Sequence, residues 1–222
     1  MVILFITLAA CKDTDNRAFG DDFDFPALTD ENTIRFTVNV VGDWRQLDIV
    51  ASGGRMVIDW GNGRIQKIED PSSMTGGMVY RYGNKGSYEV KIWAEELQFI
   101  DISGLLLPLS NLYLGNMPRM KSLALNSISG TRKLDLNTFC PNVESINIGS
   151  FADLERLEIK DCSRLRSIQV YSNPKLTSIE FGSHPETESL YCSYNDLSSL
   201  SLKSLPALRN ICLLYTSDAA DE

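Results

Sequence analysis

The sequence predicts a mostly β protein, with a small β-sandwich over residues 33–103 followed by a repetitive two-stranded coil over 104–211. Three observations predict it. First, an apolar-x-x-apolar-x-apolar unit recurs from Leu109 to Leu213, with its middle residue at 112, 123, 134, 146, 157, 168, 179, 190, 200 and 211. Steps of 10 to 12 residues are too short for one coil of a solenoid, so two units make a coil of about 22 residues holding two strands. Second, the corners are marked. Five positions after a middle residue stand Met117, Phe139, Cys162, Asn173, His184, Asn195 and Leu205. Proline follows at 118, 141, 174, 185 and 206, where φ is fixed and no ladder N–H is needed. Third, the residues ahead of the ladder alternate apolar and polar between close-set turn signals, with no helical period. The unit from Thr131 to Asn142 carries one extra residue, and its proline sits one place late.

Bulk composition narrows the function. At 222 residues there is room for two modest domains. A net charge of −8 with no basic stripe argues against nucleic-acid binding. Residues 12–31 hold seven acids against two bases, so five of the eight excess negative charges lie in that segment. One histidine in the whole chain removes most acid–base and metal chemistry, and no cofactor or catalytic residue is expected.

From the amino terminus, Val2–Leu8 is an apolar run too short to span a bilayer but suited to a signal-peptide core. Leu8-Ala9-Ala10-Cys11 resembles the lipobox of bacterial lipoproteins, although no Lys or Arg precedes the apolar run. The resemblance implies a signal peptide at 1–10, lipidation of Cys11 and attachment to a membrane through the lipid. Lys12-Asp13-Thr14-Asp15 is similar to the export signal that sends some Gram-negative lipoproteins to the outer face of the outer membrane. The remainder of 11–32 is acidic and aperiodic, and is expected to form an extended, self-repelling tether.

In 33–103, Ile34, Phe36, Val38 and Val40 mark one half-buried strand. Leu47 and Ile49 begin a second, and Met56–Trp60 form a third. Gly61-Asn62-Gly63 supplies a tight hairpin. Tyr80, Tyr82, Gly86, Tyr88, Val90 and Ile92 give two more strands around a glycine turn. Ile58-Asp59-Trp60-Gly61-Asn62-Gly63, followed by Tyr82-x3-Gly86-x-Tyr88-x-Val90, resembles the PKD (polycystic kidney disease) module. That resemblance implies an Ig-like sandwich acting as a spacer or adhesive unit. Asn62 stands where the family has a second Asp, which weakens a calcium role. Trp60 and Trp93 are expected to fill the sandwich, whereas Trp44, after Gly42-Asp43, is a candidate for exposure and for stacking on a sugar.

Within the ladder, alternate units present two outer faces. One carries Tyr113, Asp135, Glu158, Glu180 and Ser201; the other carries Ala124, Asn147, Gln169, Tyr191 and Cys212, with Tyr171 and Tyr194 just past the strands. The first reads as acidic, the second as neutral with aromatic character. Asn173 and Asn195, one coil apart, fit a stacked asparagine ladder at a corner. Leu190-Tyr191-Cys192-Ser193-Tyr194-Asn195 resembles the leucine-rich repeats of bacterial surface proteins of the internalin and BspA kind. The resemblance implies a right-handed leucine-rich-repeat solenoid that binds a protein or glycoconjugate through one sheet face. Neutral and aromatic groups lose less on desolvation than packed carboxylates, which favours the face of Asn147, Gln169, Tyr171, Tyr191 and Tyr194.

His184 stands in a column of apolar corner residues and reads as a buried structural histidine. Cys162 and Cys192 read as small core residues, while the 22-residue separation of Cys140 and Cys162 leaves a disulfide conceivable. Arg156, Lys160, Arg164 and Arg166 interleave with acids and read as solvated ion pairs. Residues 212–222 look like an artefactual tail on a longer protein. The expectation is a monomeric, outer-membrane-anchored adhesion lipoprotein that is not an enzyme. The alternatives are glycan capture through exposed Trp and Tyr, or the non-catalytic part of a longer surface enzyme.

Overall fold

A computed structural model describes residues 29, 32–43, 45–74, 77–94, 96–103 and 107–214. The expected leader, Cys11, most of the tether, Trp44 and residues 215–222 lie outside the described residues. The chain is mostly β and contains a β-solenoid of about five turns of roughly 22-residue coils.

The amino-terminal strands are β1 (Thr33–Val40), β2 (Gln46–Ser52), β3 (Met56–Asp59), β4 (Ile65–Ile68), β5 (Met78–Arg81), β6 (Gly86–Ala94) and β7 (Phe99–Ser103). Strand β1 runs antiparallel to β6, which runs antiparallel to β3, while β2 lies antiparallel between β5 and β7. The inward residues Ile34, Phe36, Val38, Leu47, Ile49, Val90, Ile92, Ile100 and Ile102 are buried in one core. Between β4 and β5, Pro71–Ser73 form a 3-10 turn whose Asp70 cap accepts a hydrogen bond from Ser72 N at 3.0 Å.

The β3–β4 hairpin is fixed by its own residues. Asp59 Oδ1 accepts from Gly61 N at 2.8 Å. Gly61 sits at φ 78, where a Cβ would lie 2.5 Å from Glu89 O, so only glycine fits. Trp60 is fully buried, donates from its indole to Gln66 Oε1 at 3.2 Å and stacks on Tyr80 at 4.5 Å. Tyr82 stacks on Tyr88 at 4.5 Å and donates its hydroxyl to Trp60 O at 3.2 Å; burial raises the phenol well above its ordinary pKa. Trp93 does not join this core. It has the opposite parity to Val90 and Ile92 and is half-buried on the outer side, in register with Thr33 and Val57, which are buried there.

The remaining elements are β8 (Leu109–Leu114), β9 (Ser122–Asn126), β10 (Ile128–Ser129), β11 (Lys133–Asp135), α1 (Leu136–Phe139), β12 (Ser145–Gly149), β13 (Arg156–Ile159), β14 (Ser167–Tyr171), β15 (Ser178–Phe181), β16 (Ser189–Ser193) and β17 (Asn210–Cys212). Among the described residues these strands form three sheets. One has six strands in the order β10-β8-β1-β6-β3-β4, one has three in the order β11-β13-β15, and one has eight in the order β17-β16-β14-β12-β9-β7-β2-β5.

The parallel strands stack in strict register: Ile100, Leu123, Ile146, Ile168, Leu190 and Ile211 form one column, and Leu134, Leu157 and Ile179 another. Leu123, Ile146, Ile168 and Leu190 have no exposed surface, each worth about 1.5–3 kcal/mol in apolar burial. Leu112 departs from the expected ladder. Its strand, β8, runs antiparallel to β1 and so extends the amino-terminal sheet, while β7 starts the parallel stack instead. Tyr113 leaves the acidic column for the same reason and packs under the Arg35 guanidinium at 4.2 Å. The extra residue in 131–142 is taken up by the single turn of α1, capped by Asp135 accepting from Asn137 N at 3.0 Å.

The corner prolines occupy the second position of tight turns. Met120 N donates to Met117 O, Leu176 N to Asn173 O and Leu208 N to Leu205 O, at 3.0, 3.0 and 3.2 Å. Directly after strands β9, β12, β14 and β16, Ser127, Ser150, Ser172 and Tyr194 take φ between 56 and 60. Each donates its N–H to the next coil, which satisfies the backbone where the strand ends.

Candidate functional site

The solenoid presents two outer sheet faces of different chemistry. On the three-stranded sheet, Asp135, Glu158 and Glu180 align across β11, β13 and β15 as the alternation requires. The face is not simply acidic, however, because bases on neighbouring strands engage these acids. Lys133 Nζ reaches Glu158 at 2.9 Å, and Arg156 Nη1 and Lys160 Nζ reach Glu180 at 3.5 and 2.5 Å. These contacts hold the Glu180 carboxyl below its usual pKa and raise the Lys160 ammonium. Arg166 pairs with Glu186 and Lys175 with Asp153. Three members of the basic cluster read from sequence, Arg156, Lys160 and Arg166, are therefore paired with acids of adjoining coils.

The eight-stranded sheet carries the candidate residues. Ala124, Asn147, Gln169 and Tyr191 face each other in register on β9, β12, β14 and β16, with Cys212 next on β17. Two residues toward the strand starts lies a row of Ser122, Ser145, Ser167 and Ser189, ending in Asn210. Two residues the other way lie Asn126, Gly149, Tyr171 and Ser193. No ionisable acid or base stands in these three rows on β9, β12, β14 and β16. Tyr191 and Tyr194 are 40% and 49% exposed, so they are the outermost rings of the face.

Tyr171 is different. It is half-buried, and its hydroxyl donates to Asn126 Oδ1 at 2.8 Å, two strands away. Its side chain therefore lies along the sheet, crossing Gly149 of β12. A Cβ at position 149 would stand 2.6 Å from Tyr171 Cζ and 2.7 Å from Cε2. The outward glycine is thus a consequence of the ring lying over it. Asn147 Oδ1 is buried with no hydrogen-bond partner, an arrangement that costs roughly 1–3 kcal/mol unless a donor is supplied.

The structure thus gathers Asn147, Gln169, Tyr171 and Tyr191 on one surface and sets Tyr194 at its edge. Trp44 lies outside the described residues. Gly149, Asn126 and the serine row belong to the same surface, although they went unremarked in the sequence. The signal for them was available: a glycine at an outward strand position, and serine at intervals of 23, 22 and 22 residues.

Other residues are structural. His184 is fully buried, its Nδ1 lies 3.1 Å from Cys162 O, and its Nε2 accepts from Gly182 N at 3.2 Å. Those partners select the neutral tautomer protonated on Nδ1, and burial lowers its pKa. Cys140 and Cys162 are both free thiols, not a disulfide; Cys162 Sγ faces Cys140 O at 3.8 Å. Burial pushes Cys162 and Cys192 up to about 12. Among the described residues no group of three His, Cys, Asp or Glu side chains is placed to hold a metal ion. Comparisons with protein-family models, with curated proteins and with solved structures find no match to this chain.

Proposed function

We propose that the chain is a surface-anchored binding protein that holds a protein or glycoconjugate against the neutral face of its eight-stranded sheet. In this reading, Cys11 carries a lipid in the outer membrane, residues 11–32 form a tether, and the protein works as a monomer without catalysis. A PKD-like, Ig-type spacer at 33–103 then supports a leucine-rich-repeat coil at 104–211.

One observation carries the reading: the two outer faces of the same coils differ in what burial costs them. Covering Lys133, Arg156, Lys160, Glu158 and Glu180 strips water from existing ion pairs, whereas covering Asn147, Gln169 and Tyr191 costs only hydroxyl and amide hydration. Exposed tyrosines are also among the residues that concentrate binding energy at interfaces.

The test displays the full chain on a Gram-negative cell and measures adhesion to layers of mucin and of extracellular-matrix glycoproteins. Cys11→Ala is expected to abolish fatty-acid labelling and surface display. Gln169→Ala with Tyr191→Ala should lower adhesion about tenfold or more at unchanged display, the effect of losing ~1.4 kcal/mol. Adhesion that survives that pair but falls with Lys133→Ala and Arg156→Ala would overturn the reading.

A further inference from the structure

We infer that the occupant of the neutral face is an uncharged, extended polysaccharide running across the strands, with Tyr171 as the central platform on which a sugar ring rests. The inference deepens the binding reading above and depends on it.

Tyr171 is held at both ends. Its backbone belongs to β14, its ring lies over Gly149 of β12, and its hydroxyl is tied to the buried Asn126 of β9. An aromatic side chain fixed along a sheet has already given up its rotamer freedom, so a ring stacking on it costs little further ordering. Its hydroxyl proton is committed to Asn126, so what it chiefly offers a ligand is apolar ring surface. Around it stand groups that donate and accept hydrogen bonds without charge: Gln169, Asn147, Ser193 and the serine row. Pyranoses combine an apolar ring face with a rim of hydroxyls, and this surface matches both parts.

The repeat supports an extended ligand. Neighbouring strands lie about 4.8 Å apart, close to the length of one pyranose unit, so successive sugars meet successive coils. The coils of β9, β12, β14 and β16 each offer the same pair of positions, a serine at the strand start and a neutral residue two places on. Asn147 Oδ1, buried and without a partner, becomes an acceptor for a sugar hydroxyl when its amide turns outward. The absence of cations from these rows on β9, β12, β14 and β16 disfavours acidic polysaccharides, and the acid nearest in register, Asp101 beside Ala124 on β7, stands at the edge of these four strands.

The experiment is affinity electrophoresis of the full chain, prepared with Cys11→Ala so that it is soluble, through gels holding glucan, mannan, galactan or xylan. Alginate and hyaluronan serve as charged contrasts. At least one neutral polysaccharide should retard the chain, and added salt should leave the retardation unchanged because no ion pair is formed. Gln169→Ala and Tyr171→Ala should each weaken retardation about tenfold or more, while Tyr171→Phe, which keeps the ring, should weaken it less. Glu158→Gln on the opposite face should change nothing. Circular dichroism checks that each variant is folded, and Gln169→Ala, a surface change, keeps the test decisive if Tyr171→Ala unfolds. No retardation by any neutral gel, or retardation only by charged gels and abolished by salt, overturns the inference. If adhesion to a protein layer is then lost with the same face variants, the binding reading stands and the saccharide is refuted. If neither ligand is held, both fail.

Discussion

Asn173 should be among the most sensitive positions in the solenoid. It has no exposed surface, and with Asn195 it forms a small buried network at the corner after β14 and β16. Its Oδ1 accepts from Phe151 N at 2.9 Å, and its Nδ2 donates to Ile148 O at 3.2 Å and to Asn195 Oδ1 at 3.0 Å. Asn195 accepts from Asn173 N at 3.1 Å and donates to Val170 O at 2.8 Å. Asn173→Ala leaves the Phe151 N–H buried without an acceptor and removes two donor contacts, for an expected loss of about 2–4 kcal/mol. Asn173→Asp should cost more at neutral pH, because both contacts of the amide nitrogen are with oxygens and a carboxylate puts negative charge against them. Part of that excess should return as pH falls, since the protonated acid regains one donor. Equilibrium urea unfolding followed by circular dichroism measures these differences. A loss below about 1 kcal/mol for Asn173→Ala, or equal losses for Ala and Asp at pH 7, would refute the network as an energetic unit.

Three further outcomes are expected. His184 has its pKa lowered by burial, so the unfolded chain binds a proton first; stability should be full above pH 6.5 and fall as pH drops from there toward the folded pKa. His184→Leu should flatten that part of the urea-midpoint profile, and an unchanged profile would contradict the assignment. Gly149→Ala should lose roughly 1–3 kcal/mol by overpacking against the Tyr171 ring, and Gly182→Ala more, since its Cβ would fall on the backbone carbonyl of Lys160; thermal denaturation ranks the pair. In a Cys11→Ala background, native-state maleimide labelling should modify Cys212 first and leave buried Cys140, Cys162 and Cys192 for the unfolded chain.

Much of the solenoid could be read from residue spacing because its core is one-dimensional: Leu123, Ile146, Ile168 and Leu190 need only recur to stack. The corner asparagines were visible for the same reason. The Leu109, Leu112 and Leu114 unit was not separable from its neighbours, since an alternating strand bears no mark of whether its partner runs parallel or antiparallel. Trp93 was misplaced by residue type, although counting from Val90 and Ile92 already put it on the outer side. The platform at Tyr171 depends on Asn126, 45 residues away, and on a glycine between them, a three-body arrangement that no local pattern expresses.

The eight-stranded sheet passes without interruption from the amino-terminal strands β5 and β2 through β7 into the parallel stack. A force applied across that sheet would therefore load rungs of backbone bonds that share the strain, with no swivel between the amino-terminal strands and the coil to absorb it. Such a unit transmits tension as a stiff plate.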